Sequence, residues 1–380
     1  MASTPAPFRL SVLDQSPVSQ GSPPARALAN TLDLARAADR LGYHRYWVAE
    51  HHGGPMLAGP SPEALIGPIA AATARIRVGS GGVMLPHYSP LKVAETFSVL
   101  AGLFPGRIDL GLGRAAGTDP MTTFALQRDR RQAAPDDFPQ QLTELLGYLD
   151  DTLPADHPFA RLAKTLPGLP ERPEPWLLGS SPQSALWAAE LGLPYAFADF
   201  INPDGAQIAA LYRQRYAEHQ HTHPARTAVG VWVICADSDE EALRLAASGR
   251  MAFTLLRRGQ LIAVPPPDQA LRFLEVDERT RAGGAAGVGG GGGAGRGGGE
   301  HRSRRRAIAG APARVRAQVE EVAASYGAQE VIVVCITYEH EARRRSYELL
   351  ADAFALDGQA TEGADTHGGR AEVGESLAQR

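Results

Sequence analysis

Along almost the whole chain, short β-branched or aromatic runs alternate with longer amphipathic ones, and this alternation limits the possible folds more than any other feature. Residues 8–13 read as a strand, and 25–41 as a helix with apolar positions at Leu28, Leu32, Leu34 and Ala38. Gly42 closes that helix in the left-handed cap role, and Tyr46, Trp47 and Val48 follow as a strand. The cycle repeats with helix 62–74 and strand 76–84, helix 91–103 and strand 107–112, helix 138–149 and strand 176–178, and helix 183–191 and strand 195–198. Strands at 228–235 and 331–337 bring the candidates to eight. Strands separated by helices pair in parallel through right-handed crossovers. Eight such units, with no compositional break between them, predict an α/β fold: one closed (β/α)8 TIM barrel rather than an open doubly wound sheet.

Two segments depart from the repeat. Residues 282–299 are almost entirely Gly and Ala, and the basic run 302–306 follows. No core can be built from such a stretch, so 282–306 is expected to be a flexible glycine-rich insertion between strands seven and eight. The polar tail 357–380 is expected to be disordered, leaving residues 1–356 as a single barrel domain. A formal net charge of −4 over 380 residues argues against a nucleic acid or an anionic membrane as partner. No uncharged apolar run is long enough to span a bilayer. The first residues lack a basic segment leading into an apolar one, so a cytoplasmic location without a signal peptide is expected. Cys235 and Cys335 lie in apolar strand-like runs, which suggests buried free thiols.

In barrel enzymes the chemistry sits at the carboxyl ends of the strands, and unusual residues collect there. After strand two come Glu50, His51 and His52, and after strand three Pro86, His87 and Tyr88. Strand four ends in Gly111-Leu112-Gly113-Arg114, strand five in Gly179-Ser180-Ser181, strand six in Asp199-Phe200, and strand eight in Thr337-Tyr338. Taken in order, Trp47-Val48-Ala49-Glu50-His51-His52, Gly79-Ser80-Gly81-Gly82-Val83-Met84-Leu85-Pro86 and Pro105-Gly106-Arg107-Ile108-Asp109-Leu110-Gly111-Leu112-Gly113-Arg114 resemble successive signatures of the bacterial-luciferase-like flavin-dependent monooxygenases. The segment Leu178-Gly179-Ser180-Ser181, followed by Trp187-Ala188-Ala189 and Gly192-Leu193-Pro194, is similar to that family's phosphate-binding stretch. The resemblance runs from about residue 8 to 354 and omits the glycine-rich stretch and the tail.

The resemblance implies an enzyme that uses reduced FMN and O2, through a C4a-hydroperoxide, to oxygenate an apolar organic molecule such as a long-chain aldehyde or an aromatic polyketide of natural-product biosynthesis. It implies a separate NAD(P)H:flavin reductase as partner, and a homodimer is expected. It also implies a non-proline cis peptide near Gly81-Gly82, a mobile active-site loop in the glycine-rich region, and His51 as the histidine that moves protons beside the reactive edge of the flavin. Glu50 then reads as a buried partner orienting the neighbouring groups, or as half of a structural Glu–His pair. Ser184 joins the phosphate-binding residues on the same grounds.

The motifs also have direct physical readings. Gly179, Ser180 and Ser181 lie between a strand and a helix start, where free N–H groups, the helix dipole and two hydroxyls form a phosphate cradle; the plainer alternative is an ordinary N-cap at either serine. Arg114 can add a bidentate contact to the same phosphate. Gly81 and Gly82 weaken a strand, which close approach of a flat ligand or a simple β-bulge would each explain. Phe8, Tyr88, Phe200, Trp232 and Tyr338 are the aromatic candidates for a substrate pocket.

Other readings compete. F420 presents a similar ring system and ribityl phosphate, and would make the protein a dehydrogenase. A non-catalytic flavin-binding protein on the same fold is a further possibility. A metal-dependent hydrolase using Glu50, His51, His52 and His87 is disfavoured, because adjacent strand-end histidines point to opposite faces, and no metal is expected. The spacing of Gly111, Gly113, Ala116 and Gly117 imitates a dinucleotide fingerprint, but Thr118-Asp119-Pro120 is not expected to continue as a helix.

Overall fold

The computed structural model describes residues 7–114, 119–127, 130–132, 136–203, 205–286 and 307–358. Eight parallel strands close on themselves: β1 (Arg9–Asp14), β2 (Arg45–Val48), β3 (Arg77–Met84), β4 (Ile108–Gly113), β5 (Glu174–Gly179), β6 (Tyr195–Ala198), β7 (Thr227–Cys235) and β9 (Glu330–Val334). β1 pairs with both β2 and β9, and β7 with both β6 and β9, so the ring has no open edge. These are the eight strands expected from the alternation. A ninth, β8 (Ile308–Gly310), was not legible; it pairs in parallel with residues 233–235 of β7. Three residues leave no room for a periodic pattern, and a strand this short is declared only by its partner.

The helices follow their local signals. Helices α1 (Pro24–Leu41), α2 (Pro62–Ala71), α3 (Pro90–Leu103), α4 (Pro120–Leu126), α5 (Phe138–Asp150) and α7 (Pro182–Glu190) each carry proline in the first turn, where its missing N–H costs nothing. Gly42 caps α1 at φ 85°, as expected. Between them lies the single turn α6 (Ala160–Ala163), and later in the chain come α8 (Ala206–Glu218), α9 (Asp239–Leu256), α10 (Pro267–Ala286), α11 (Pro312–Tyr326) and α12 (His340–Phe354).

Two boundaries need correction. α10 runs to Ala286, so the first Gly/Ala residues of the expected loop are helical; alanine favours an established helix enough to carry it over two glycines. The remainder of that stretch, 287–306, and the tail from 359 lie outside the described residues. α4 does begin at Pro120, because the Asp119 carboxylate accepts the N–H groups of Met121 and Thr122, so the segment does enter a helix after all.

Alternation along each strand sorts the core into two shells. Outward side chains such as Val12, Tyr46, Val78 and Leu110 meet the helices. Inward ones such as Leu13, Trp47, Trp176, Ile332 and Val334 fill the barrel, where Trp47 and Trp176 meet edge to face at 5.4 Å. Below them the interior is charged. Arg45 donates to Asp109 at 2.8 Å, Glu174 at 2.9 Å and Glu330 at 3.0 Å, and Trp47 Nε1 donates to Asp109 at 3.0 Å. Both cysteines are buried and free, as expected. Phe8, a pocket candidate, instead packs against Phe354 (5.8 Å) at the amino end of β1, across the barrel from the strand ends where ligands bind. No helix among the described residues is long and apolar enough to cross a membrane.

Candidate functional site

At the carboxyl ends of the strands a cleft of about 420 Å3 brings together His51, Gly81, Gly82, Arg114, Gly179, Ser180, Ser181, Ser184 and Phe200. Its walls are largely apolar, with Leu13, Trp47, Leu178 and Ile332 among them. Residues separated by more than a hundred positions thus meet as the barrel topology requires. Among the described residues no set of His, Cys, Asp or Glu is placed to hold a metal ion.

The floor is shaped by glycine. The Gly81-Gly82 peptide is cis, and the β3–β4 register shifts between Ser80 and Val83, so the bulge and the cis bond occur together. A Cβ at Gly81 would lie 2.6 Å from the Leu13 side chain, and one at Gly82 would lie 2.8 Å from the Gly111 carbonyl. Gly82 is therefore closed to side chains by backbone that cannot yield, whereas a side chain at Gly81 would have to displace the Leu13 tip; with glycine at both, the backbone stays bare on the cleft side.

Ser181 caps α7, its hydroxyl accepting the Ser184 N–H at 3.4 Å, so the plainer N-cap reading holds for this residue. Ser184 is buried and held by Tyr195 (2.9 Å) and by the Ser181 carbonyl (2.8 Å). The Ser180 carbonyl accepts from Asn202 at 3.1 Å, which fixes the turn. Arg114 pairs with Asp136 at 2.7 Å across open solvent, and its guanidinium lies 5.7 Å from the Trp187 ring. An exposed pair of this kind is worth under about 1 kcal/mol, so the guanidinium exchanges partners at little cost.

In the Glu50–His51–His52 run the buried carboxylate meets the second histidine, not the first. Glu50, fully buried, accepts from the Met84 N–H (2.8 Å) and the Tyr88 hydroxyl (3.1 Å) and pairs with His52 Nε2 at 2.7 Å. Adjacent residues leave an extended backbone on opposite sides, so Glu50 orients His52 and Tyr88 behind the cleft wall while His51 faces the cleft. Glu50 is thus a scaffold for the ends of β2 and β3. Tyr88 points to it and does not line this cleft; burial and the adjacent carboxylate hold its phenol protonated. Tyr338 donates to the Gln20 carbonyl at 3.2 Å and lines neither this cleft nor its neighbour. Trp232 lines the neighbouring cleft, where Phe200 forms part of both walls.

Among the described residues, two buried side-chain polar atoms of the cleft have no hydrogen-bond partner: Nδ1 of His51 and Oε1 of Gln15. Such groups are costly unless a ligand or water completes them. Gln15 was not among the candidates. It follows β1 directly, so the rule that strand ends carry the chemistry would have found it. Burial, with a smaller contribution from His52, pushes His51 down to about 4. The ring is therefore neutral at pH 7 and has one nitrogen able to accept a proton. Because the folded value lies below the ordinary 6.5, the unfolded chain binds the extra proton first. The stabilisation is complete above 6.5 and is lost as pH falls towards 4. Urea unfolding at pH 7 and pH 5 should show wild type losing on the order of 1–2 kcal/mol more than His51→Gln on acidification. Equal losses would mean the ring is not held neutral.

The comparisons with known proteins agree with this geometry. The family model for luciferase-like monooxygenases matches residues 8–330. An uncharacterised Bacillus subtilis protein, YwcH, is 45% identical over 352 residues, covering 91% of this chain and 99% of that protein. The N-acetyl-S-alkylcysteine monooxygenase of Bacillus subtilis is 41% identical over 271 residues, covering 70% of this chain and 80% of the enzyme. The crystal structure of apo-MsnO8 superposes with a TM-score of 0.78 at 40% identity, covering 93% of this chain and 99% of that one. With its closed barrel and its strand-end cleft, this chain belongs to the luciferase-like monooxygenase family.

Proposed function

We propose that the chain is an FMN-dependent monooxygenase acting on a small organic molecule, with the flavin held in the strand-end cleft. The observation that carries this reading is the composition of one cleft: apolar walls, two orphaned buried polar atoms, a bare glycine floor and a helix N-terminus with Ser180 and Arg114 beside it. These suit a flat ring system with polar edges and a terminal phosphate. Leu13, Trp47, Leu178 and Ile332 would pack against the ring, and Gln15 and His51 would meet its edges or the substrate. Ser180, the N–H groups at the start of α7 and a released Arg114 would hold the phosphate.

When bound, reduced flavin supplies the electrons that activate O2 for transfer of one oxygen atom to the substrate. The chain's own contribution is then to position, to shield and to handle protons. His51, neutral at pH 7 and lining the cleft, has a ring nitrogen able to take a proton there. The apolar walls keep water away from the reacting atoms. A separate reductase is proposed as the source of reduced flavin, and a homodimer as the working assembly. The monooxygenase relative that acts on N-acetyl-S-alkylcysteines supports a small-molecule substrate.

The test compares FMN with riboflavin, which lacks the phosphate. Arg114→Ala and Ser180→Ala should each weaken FMN by about 1.5–3 kcal/mol, with Arg114 at the low end because it is exposed, and leave riboflavin affinity unchanged. Equal losses for both ligands would remove these residues from the phosphate site. An absorbance spectrum of protein loaded from a mixture of FMN and F420 decides between the two cofactors, and preferential uptake of F420 would overturn the oxygenase reading.

A further inference from the structure

A second cleft, of about 430 Å3, opens beside the first and shares Phe200 and Ile201 with it. β7 and α9 supply half of its lining residues. Trp232 lies 4.0 Å from Phe253 between ring centroids and stacks on Phe200 at 6.1 Å. Phe253 and Thr254 stand three and four residues after Arg250, and Arg257 follows at the carboxyl end, so one face of α9 and its end line the cleft. The wall is thus aromatic at its centre and cationic along one side, and no carboxylate lines it among the described residues. Arg250 reaches Glu278 only at 3.4 Å, in an exposed pair, and Arg257 makes no ion pair among the described residues. Trp232 Nε1 is a buried donor with no acceptor among the described residues.

We infer that this second cleft is the substrate chamber and that the substrate class is an organic carboxylate with an apolar or aromatic body. The body lies among Phe200, Trp232 and Phe253, the Trp232 N–H donates to an oxygen of the same molecule, and the carboxylate faces Arg250 and Arg257. Guanidinium forks match carboxylates geometrically, and the aromatic wall lowers the local dielectric in which they act. The shared Phe200 edge leaves the far end of such a molecule facing the first cleft. This inference rests on reading the first cleft as the flavin site. A plainer role for Arg257, a cation at the negative end of α9, predicts stability effects without ligand preference.

The experiment uses a matched pair of probes, 4-phenylbutyrate and 4-phenylbutan-1-ol, titrated by calorimetry into FMN-loaded and flavin-free protein at low salt. The acid should bind about tenfold more tightly than the alcohol, the scale of one charge-assisted hydrogen bond. The double variant Arg250→Gln/Arg257→Gln should abolish that preference while leaving alcohol binding and FMN affinity unchanged. Trp232→Phe, which keeps the aromatic wall, should weaken both probes. Equal affinities in wild type, a preference that survives the double variant, or no binding of either probe at millimolar concentration would each overturn the inference. FMN binding, read separately on the same samples, tells its failure apart from that of the flavin reading.

Discussion

His51→Ala is expected to lower turnover by about 10²-fold or more, the usual scale for losing a general acid–base group, while the fold and the FMN affinity are retained. The residue lines the cleft, its Nδ1 is buried and has no partner among the described residues, and burial lowers its proton affinity so that the ring is neutral at pH 7. Among the described residues, its hydrogen bond to the rest of the barrel is the one from its backbone N–H to the Gly59 carbonyl, which alanine preserves. Kinetics with reduced FMN supplied chemically separate the step from the reductase, and imidazole in the buffer should restore part of the rate to the alanine variant. Near-normal turnover in His51→Ala would remove the residue from the mechanism. A loss matched by a fall in FMN affinity would make it a binding residue instead. Glu50→Gln serves as a contrast: because Glu50 touches Met84, Tyr88 and His52 rather than His51, its loss should show chiefly in stability and in the positions of those neighbours.

Arg45→Met is expected to destabilise the protein by about 3–5 kcal/mol, the cost of leaving buried charges without their counterion. Arg45 is 2% exposed, and Asp109 and Glu330, which face it inside the barrel, are 0% and 4% exposed. Burial already pushes the Glu330 carboxyl up in spite of Arg45, so withdrawing the cation should protonate it. Arg77, which also pairs with Asp109, limits the damage at that residue. Chemical denaturation at pH 7 reads the loss, and adding Glu330→Gln to Arg45→Met should recover part of it by removing the stranded charge. A change below 1 kcal/mol would mean that water or the remaining arginines neutralise the cluster. The cluster lies at the opposite end of the barrel from the cleft, so FMN affinity should follow stability only.

The sequence by itself determined the barrel, and with it the strand ends at which the proposed site lies. Eight apolar runs separated by amphipathic ones have few other ways to bury their surfaces, and the Glu50-His51-His52, Gly81-Gly82 and Gly179-Ser180-Ser181 motifs are local, so each could be read without knowing its neighbours. What the motifs touch is a different matter, because contact depends on which way a backbone leaves its strand. His52 rather than His51 pairs with Glu50, Ser181 caps a helix, and Tyr338 bonds to Gln20 across more than three hundred residues. Trp232 looked like one aromatic among several and proved to centre a second cleft only once α9 was laid over β7. The charged plug was the least legible feature. Arg45, Asp109, Glu174 and Glu330 each stand in or beside an apolar run, and a single charge there carries no signal until the barrel closes and sets all four on its inner face. Local periodicity fixes elements because it acts over a few residues, whereas partners of buried polar groups are chosen by closure of the whole sheet, which no short window contains.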